Sequence, residues 1–271
     1  MAIDVAKIFQ KKNPKLYNFT PKFMIKRLKK LVHQDEGNEI IQRNEHLRGI
    51  DFNNAMVDEF QIKTKVINED NIPHKGRHIF VSNHPLGGLD GIAKMKLIQK
   101  HHPNIRFIAN DILLNLENLD PLLVPVNKHG RQSKENARRI QEVFASDMQV
   151  LCFPAGACSR KIKGKIVDLE WNKYFVKKAI ESKRDIIPIY IDGKNSNWFY
   201  NLAKITKAMR LPKIEMLWLP DEMFKQKGKT LTFVIGESIK WEDIQRARKS
   251  DHEKIAQNIK EQTYLLATQV S

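Results

Sequence analysis

From about residue 61 onward, short β-branched runs alternate with helical windows, and no other feature of the chain constrains its fold as strongly. The runs are IKTKVI (62–67), HIFVSN (78–83), RFIA (106–109), LLVPV (122–126), QVLCFP (149–154), DIIPIYI (185–191) and LTFVIG (231–236). Each is rich in residue types that pack well on a pleated surface. Helical windows fall near 86–101, 131–146, 170–183 and 196–209, with a last helix near 251–269. Strands separated by helices imply an α/β fold, with a largely parallel central sheet flanked by helices on both faces. In such folds ligands gather beyond the carboxyl ends of the strands. No internal repeat and no low-complexity linker interrupts the pattern.

Residues 1–60 differ in texture and read as an N-terminal amphipathic helical region, leaving 61–271 as the main domain. In PKFMIKRLKKLVHQ (21–34), a rotation of about 100° per residue gathers Met24, Ile25, Leu28, Leu31 and Val32 into roughly 120° of arc. Lys22, Lys26, Lys29, Lys30 and His33 lie opposite, Arg27 lies at the edge, and Phe23 falls on the polar side. Such a helix either docks its stripe on a protein core or lies in a headgroup plane with its lysines on anionic lipid. A second helical stretch near 36–60 can pair with it as an antiparallel hairpin.

Charge points the same way. The 47 Lys and Arg residues against 31 Asp and Glu give +16, with a pI near 9.7, and that excess favours an anionic partner. No motif that reads RNA or DNA accompanies the charge, so nucleic acid is not the expected partner. No apolar run approaches the roughly 20 residues of a membrane span, and MAIDVAKIFQKK lacks the features of a secretory signal. The expectation is a cytoplasmic chain, peripheral on the inner face of the cell membrane. Cys152 and Cys158 read as reduced and structural.

The segment VSNHPLGGLDG (81–91) carries a strand into a helix through a histidine, a proline and paired glycines. Gly87 and Gly88 permit positive φ and close approach of a ligand to the backbone, while Pro85 fixes one dihedral and removes a donor. A histidine there can take a proton from a hydroxyl, and a carboxylate can hold its ring in one tautomer. His84 and Asp90 are the candidate pair. Alone, they read more readily as a hydrogen-bonded core histidine and a helix cap.

NHPLGGLD resembles the NH-x4-D block of the glycerolipid (lysophospholipid) acyltransferase superfamily, with one extra residue in a glycine loop. That longer spacing is similar to the hemolysin-like and aminolipid-forming branches. FPAGACSRK (153–161) resembles the same superfamily's FPEGTRS block. Phe153, Pro154, Gly156 and Ser159 match in place, and Ala155 replaces the usual acidic residue. Between the blocks, VNKHGRQS sets Lys128 and Arg131 where the family keeps a basic headgroup contact. IIPIYI (186–191), with Pro188, resembles the block that lines the acyl side. The resemblance spans residues 62–192.

The resemblance implies an O-acyltransferase that moves a fatty acyl group from acyl carrier protein (acyl-ACP) or acyl-CoA to a hydroxyl of a membrane lipid. His84 is the implied base and Asp90 its orienting acid. Gly87, Gly88, Lys128, Arg131, Phe153, Pro154, Gly156, Ser159 and Arg160 are the implied substrate contacts. Backbone N–H groups of Gly87–Gly91 or Gly156 are the oxyanion donors to expect. No nucleophile elbow is present, so the hydroxyl attacks directly in a ternary complex. Neither metal nor cofactor is required, since His101 and His102 lack a ligand partner at a persuasive spacing. With Ala155 in the second block, the acceptor expected is a monoacylated glycine or ornithine lipid held through its carboxylate by Arg160, with lysophosphatidic acid next. A non-catalytic, hemolysin-like membrane binder is the contrasting reading.

Overall fold

A computed structural model describes residues 3–110, 116–126, 134–209 and 214–270. Five helices come first: α1 (Val5–Lys12), α2 (Pro14–Phe19), α3 (Lys22–Leu31), α4 (Gln34–Arg43) and α5 (Gly49–Glu59). There follow β1 (Lys63–Ile67), β2 (His78–Ser82), α6 (Gly88–Gln99), β3 (Ile105–Asn110), β4 (Leu123–Val126), α7 (Lys134–Ala145) and β5 (Gln149–Cys152). A small hairpin, β6 (Arg160–Ile162) and β7 (Lys165–Val167), leads to α8 (Tyr174–Ser182), β8 (Asp185–Asp192) and α9 (Asn197–Ala208). The remaining elements are α10 (Leu219–Phe224), β9 (Thr230–Ile235), α11 (Trp241–Ile244) and α12 (His252–Leu265).

Seven strands form one sheet in the order β1-β9-β8-β2-β5-β3-β4. Neighbours run parallel except β8 and β9. Each β-rich run of the sequence is a strand of this sheet, with ends shifted by a residue or two. The hairpin β6–β7 and helices α10 and α11 carry no such signal and complete the map.

Side-chain alternation along the strands feeds two cores. Phe80, Leu151, Ile187 and Phe233 pack with Leu89 and Ile92 of α6 and Phe52 and Val57 of α5. Ile79, Val81, Val150 and Ile186 face the other way, toward Phe144, Phe175, Ala256 and Ile259 of α7, α8 and α12. Arg184, fully buried, stays satisfied by donating to the carbonyls of Val143, Phe144, Ser146 and Met148 at the end of α7.

The N-terminal helices close over one side of this frame. The stretch near 36–60 is two helices, not one. Of the stripe read from periodicity, Ile25 is buried and Leu28, Leu31 and Val32 are half-buried, so it turns inward except at Met24, which is exposed. His33 then stacks on Phe224 at 4.2 Å and meets Asp221 at 3.1 Å. What remains open on this region is Leu16, Phe19, Phe23 and Met24, with Phe19 87% exposed. Among the described residues, no helix is long and apolar enough to cross a membrane.

Candidate active site

β2 lies between β8 and β5, so the chain leaving its carboxyl end meets the chain leaving theirs. In register, Val81 pairs with Cys152 and Ser82 with Ile189. His84 and Phe153 therefore emerge side by side, though far apart in sequence. Asn83 fixes the junction with β8, donating to the Ile191 carbonyl at 2.8 Å and accepting from its N–H at 2.7 Å.

His84 is held on every side. Both oxygens of Asp90 lie 3.1 Å from Nδ1, and Oδ2 also accepts the Leu86 N–H at 2.8 Å. Asp90 is wholly buried while the His84 side chain keeps 15% of its surface. Burial alone presses the imidazole down; the Asp90 carboxylate and the Cys158 thiol, which hydrogen-bonds the ring, outweigh it and leave His84 well above its ordinary 6.5. The imidazole stacks on the Phe153 ring at 3.9 Å and 17°.

Beneath Phe153 sits a lysine that motif reading passed over. Lys94, one helical turn beyond Asp90, is fully buried with its Nζ 5.1 Å from the Phe153 ring centre. It donates to the Phe80 carbonyl at 3.0 Å, the Ser82 hydroxyl at 2.9 Å and the Cys152 carbonyl at 3.1 Å. Burial lowers it to about 7. Its signal was legible in GIAKMKLI as the lysine four residues beyond Asp90, on the same face of the helix among apolar neighbours, whereas Lys96 falls on another face.

A second missed residue, Asp168, joins the two motif loops. Its Oδ1 accepts from the His84 N–H at 3.2 Å and the Ser159 hydroxyl at 2.6 Å, and its Oδ2 from Trp171 Nε1 at 2.9 Å. The Ser159 N–H in turn donates to the His84 carbonyl at 2.8 Å, and the Tyr264 hydroxyl meets the Asp168 N–H at 2.7 Å. Burial raises this carboxyl above its usual range against the pull of those donors. Nothing local in KIVDLEW marks it.

The other expected contacts divide. Gly87 needs to be glycine, with φ 88° and ψ −116°, and an added Cβ there lies 3.2 Å from Leu219 and 3.4 Å from Cys158. Gly88 opens α6, whose first turn no side chain caps. The Gly156 N–H donates to the Phe153 carbonyl at 2.9 Å, and Pro154 accepts from Asn172 at 3.1 Å, so both shape the loop. Arg160 meets a carboxylate of the protein itself: Nη2 lies 2.9 Å from the buried Glu215, whose other oxygen accepts from Thr206. Pro188 lies buried within β8, against Gly236. Lys128 and Arg131 fall outside the described residues. No cluster of three or more metal-ligating side chains occurs among the described residues.

The family model described as Acyltransferase matches residues 7–271. A lyso-glycine lipid O-acyltransferase of Bacteroides thetaiotaomicron is 44% identical over 248 residues, 91% of each chain. Another of that name, from Phocaeicola vulgatus, is 43% identical over 91% of this chain and 89% of its own. The crystal structure of the 1-acyl-sn-glycerophosphate acyltransferase PlsC from Thermotoga maritima aligns with a TM-score of 0.48 at 17% identity, covering 90% of this chain and 92% of that one. By its match over nearly the whole sequence and a buried imidazole–carboxylate pair at the mouth of a mostly parallel sheet, the chain belongs to the acyltransferase family.

Proposed function

We propose that the chain acylates the free hydroxyl of a monoacylated glycine lipid, with an acyl thioester as donor and His84 as general base. The observation that carries this is the clamp of Asp90 on Nδ1, which fixes the ring and its tautomer; the acceptor hydroxyl takes the place of the Cys158 thiol beside the ring. The shared name of the two relatives, each above 40% identity, supports the acceptor.

In the proposed step, neutral His84 removes the hydroxyl proton as the oxygen attacks the thioester carbon. Asp90 stabilises the resulting imidazolium. The tetrahedral oxyanion lies against the uncapped first turn of α6, where free N–H groups and the helix dipole favour negative charge. Collapse breaks the C–S bond, and the imidazolium returns its proton to the thiolate. Among the backbone donors considered, Gly156 is already engaged with Phe153, which favours the Gly87–Gly91 turn. Lys128 and Arg131, which motif matching assigns to the headgroup, remain part of this proposal.

Acceptor and product are membrane lipids, and the donor, acyl-ACP or acyl-CoA, is anionic; the +16 charge suits both. The open residues Leu16, Phe19, Phe23 and Met24, flanked by Lys15, Lys22 and Lys26, suit peripheral docking on the inner membrane face. The test is direct. Purified full chain is given monoacylated glycine lipid or lysophosphatidic acid with acyl-ACP or acyl-CoA, and diacylated product is measured by mass spectrometry. Diacyl glycine lipid forms with the wild type and not with His84→Ala. Product from lysophosphatidic acid alone overturns the acceptor, and an active His84→Ala overturns the base.

A further inference from the structure

Helix α9 is amphipathic twice over. Phe199, Tyr200, Ala203 and Thr206 are buried against the body of the protein. A second row, Trp198, Leu202, Ile205 and Met209, recurs at intervals of four and three residues and occupies roughly 60° of arc on the outer side. Trp198 is 57% exposed, Ile205 52% and Met209 63%. The 3-10 turn Ile214–Trp218 extends this apolar face through Leu217, 44% exposed. An outward row of large apolar side chains on a helix already anchored by its opposite face needs a partner.

Charge selects that partner. Between Gly193 and Ile214 the sequence holds Lys194, Lys204, Lys207, Arg210 and Lys213 and no carboxylate. An apolar row with a tryptophan, on a stretch of sequence whose cations have no carboxylate among them and with the exposed Lys204 about 100° round the helix from Ile205, matches the headgroup region of an anionic bilayer, where indole rings favour the interface and lysines meet phosphate.

Position ties the face to the chemistry. The 3-10 turn is bound to α9 by the Thr206–Glu215 hydrogen bond at 3.0 Å and to the second motif by the Arg160–Glu215 ion pair at 2.9 Å. It continues into α10, whose Leu219 sits over Gly87 and whose Met223 sits over Gly88. A bilayer seated on this face is connected to the His84 turn through the 3-10 turn and α10.

From these observations we infer that the outer face of α9 and the following 3-10 turn is a second membrane-contact surface, separate from the N-terminal helices, that seats the catalytic turn on an anionic bilayer. It rests on the reading that the acceptor is a membrane lysolipid. Such a surface holds the membrane that carries a single-tailed lipid beside the elements that pack on the His84 turn.

Trp198 provides its own reporter. In full-length chain carrying Trp218→Phe and Trp241→Phe, only Trp198 and the buried Trp171 emit. Vesicles of phosphatidylethanolamine and phosphatidylglycerol with bromine-labelled acyl chains should quench that emission, and adding Trp198→Phe should remove the quenching. Ile205→Glu with Met209→Glu should weaken partitioning onto these vesicles by about tenfold or more. It should also lower turnover of vesicle-embedded acceptor relative to a monomeric short-chain one. Bound chain with unquenched Trp198, or a double variant that partitions like the wild type, overturns the proposal. So does a dimer dissolved by the double variant with no quenching, which makes the face an interface between copies. Quenching without acylation of any lysolipid leaves the surface standing and removes the acceptor reading instead.

Discussion

Replacing Asp90 with asparagine keeps the shape of the carboxylate and removes its charge from beside the base. Nδ1 of His84 stands 3.1 Å from both Asp90 oxygens, with the carboxylate fully buried and the imidazole largely so. At an effective dielectric near 20, a unit pair at that distance interacts by roughly 5 kcal/mol, an upper bound on the support given to the imidazolium. The Leu86 N–H bonds Oδ2, so it draws the amide oxygen there and turns the amide NH2 toward Nδ1, favouring the unproductive tautomer. About 3–4 kcal/mol of that support should appear as lost catalysis, roughly two to three decades in kcat/KM.

The pH profile separates this from simple damage. His84 stands well above 6.5 in the wild type, so the neutral base accumulates only as pH rises and the acid limb of kcat/KM lies above 6.5. In Asp90→Asn the burial that depresses the imidazole remains, the Asp90 charge that raises it is gone and only the Cys158 contribution is left, so the limb should move to lower pH. Stability follows the same linkage. The pair's contribution is full below 6.5 and fades as pH climbs through the raised folded value, so the stability gap between wild type and variant should narrow with pH. Steady-state kinetics from acid to mildly alkaline pH, with denaturant melts alongside, provide both readings. An unmoved limb, or a rate within a few-fold of wild type, refutes the role given to Asp90.

Other perturbations test the frame around the pair. Gly87→Ala places a side chain at φ 88° and 3.2 Å from Leu219, and should cost about 1–3 kcal/mol of stability and sharply lower kcat, read by thermal melts and turnover. Asp168→Asn turns an amide NH2 against the Trp171 N–H or the donors of His84 and Ser159; a loss of about 1–3 kcal/mol and a fall in kcat with little change in KM are expected. Lys94 falls to about 7 in the folded chain against an ordinary 10.5. The unfolded chain therefore binds more protons between those values, and stability should rise with pH across the window, by about 1.4 kcal/mol per unit at most. Lys94→Met should flatten that rise, and an unchanged slope places the titration elsewhere.

The strands were legible because a buried parallel sheet demands continuous β-branched runs, and HIFVSN and DIIPIYI meet that demand within themselves. The hairpin at 160–167 escaped notice under its lysines, although Lys163 and Gly164, at φ 46° and 82°, form the double positive turn that hairpins favour. His84 and Asp90 were legible for a similar reason, since one loop brings them together. Asp168 reaches His84 only through the fold, across 84 residues, so no spacing rule could mark it. Periodicity found the α3 stripe but not what it faces; Ile25 shows that it faces protein.

The edge of the sheet bears on how such a chain is made. β1 is an early strand whose one neighbour is β9, Lys63 lying opposite Thr230. A ribosome producing the chain in order therefore releases a strand that must wait for nearly the whole domain before it can pair, the kind of distant contact that slows folding. Lys63 and Lys65, both exposed, protect that waiting edge by making it a poor template for strangers. Neutralising them should leave the finished enzyme's turnover untouched while lowering the yield of soluble chain.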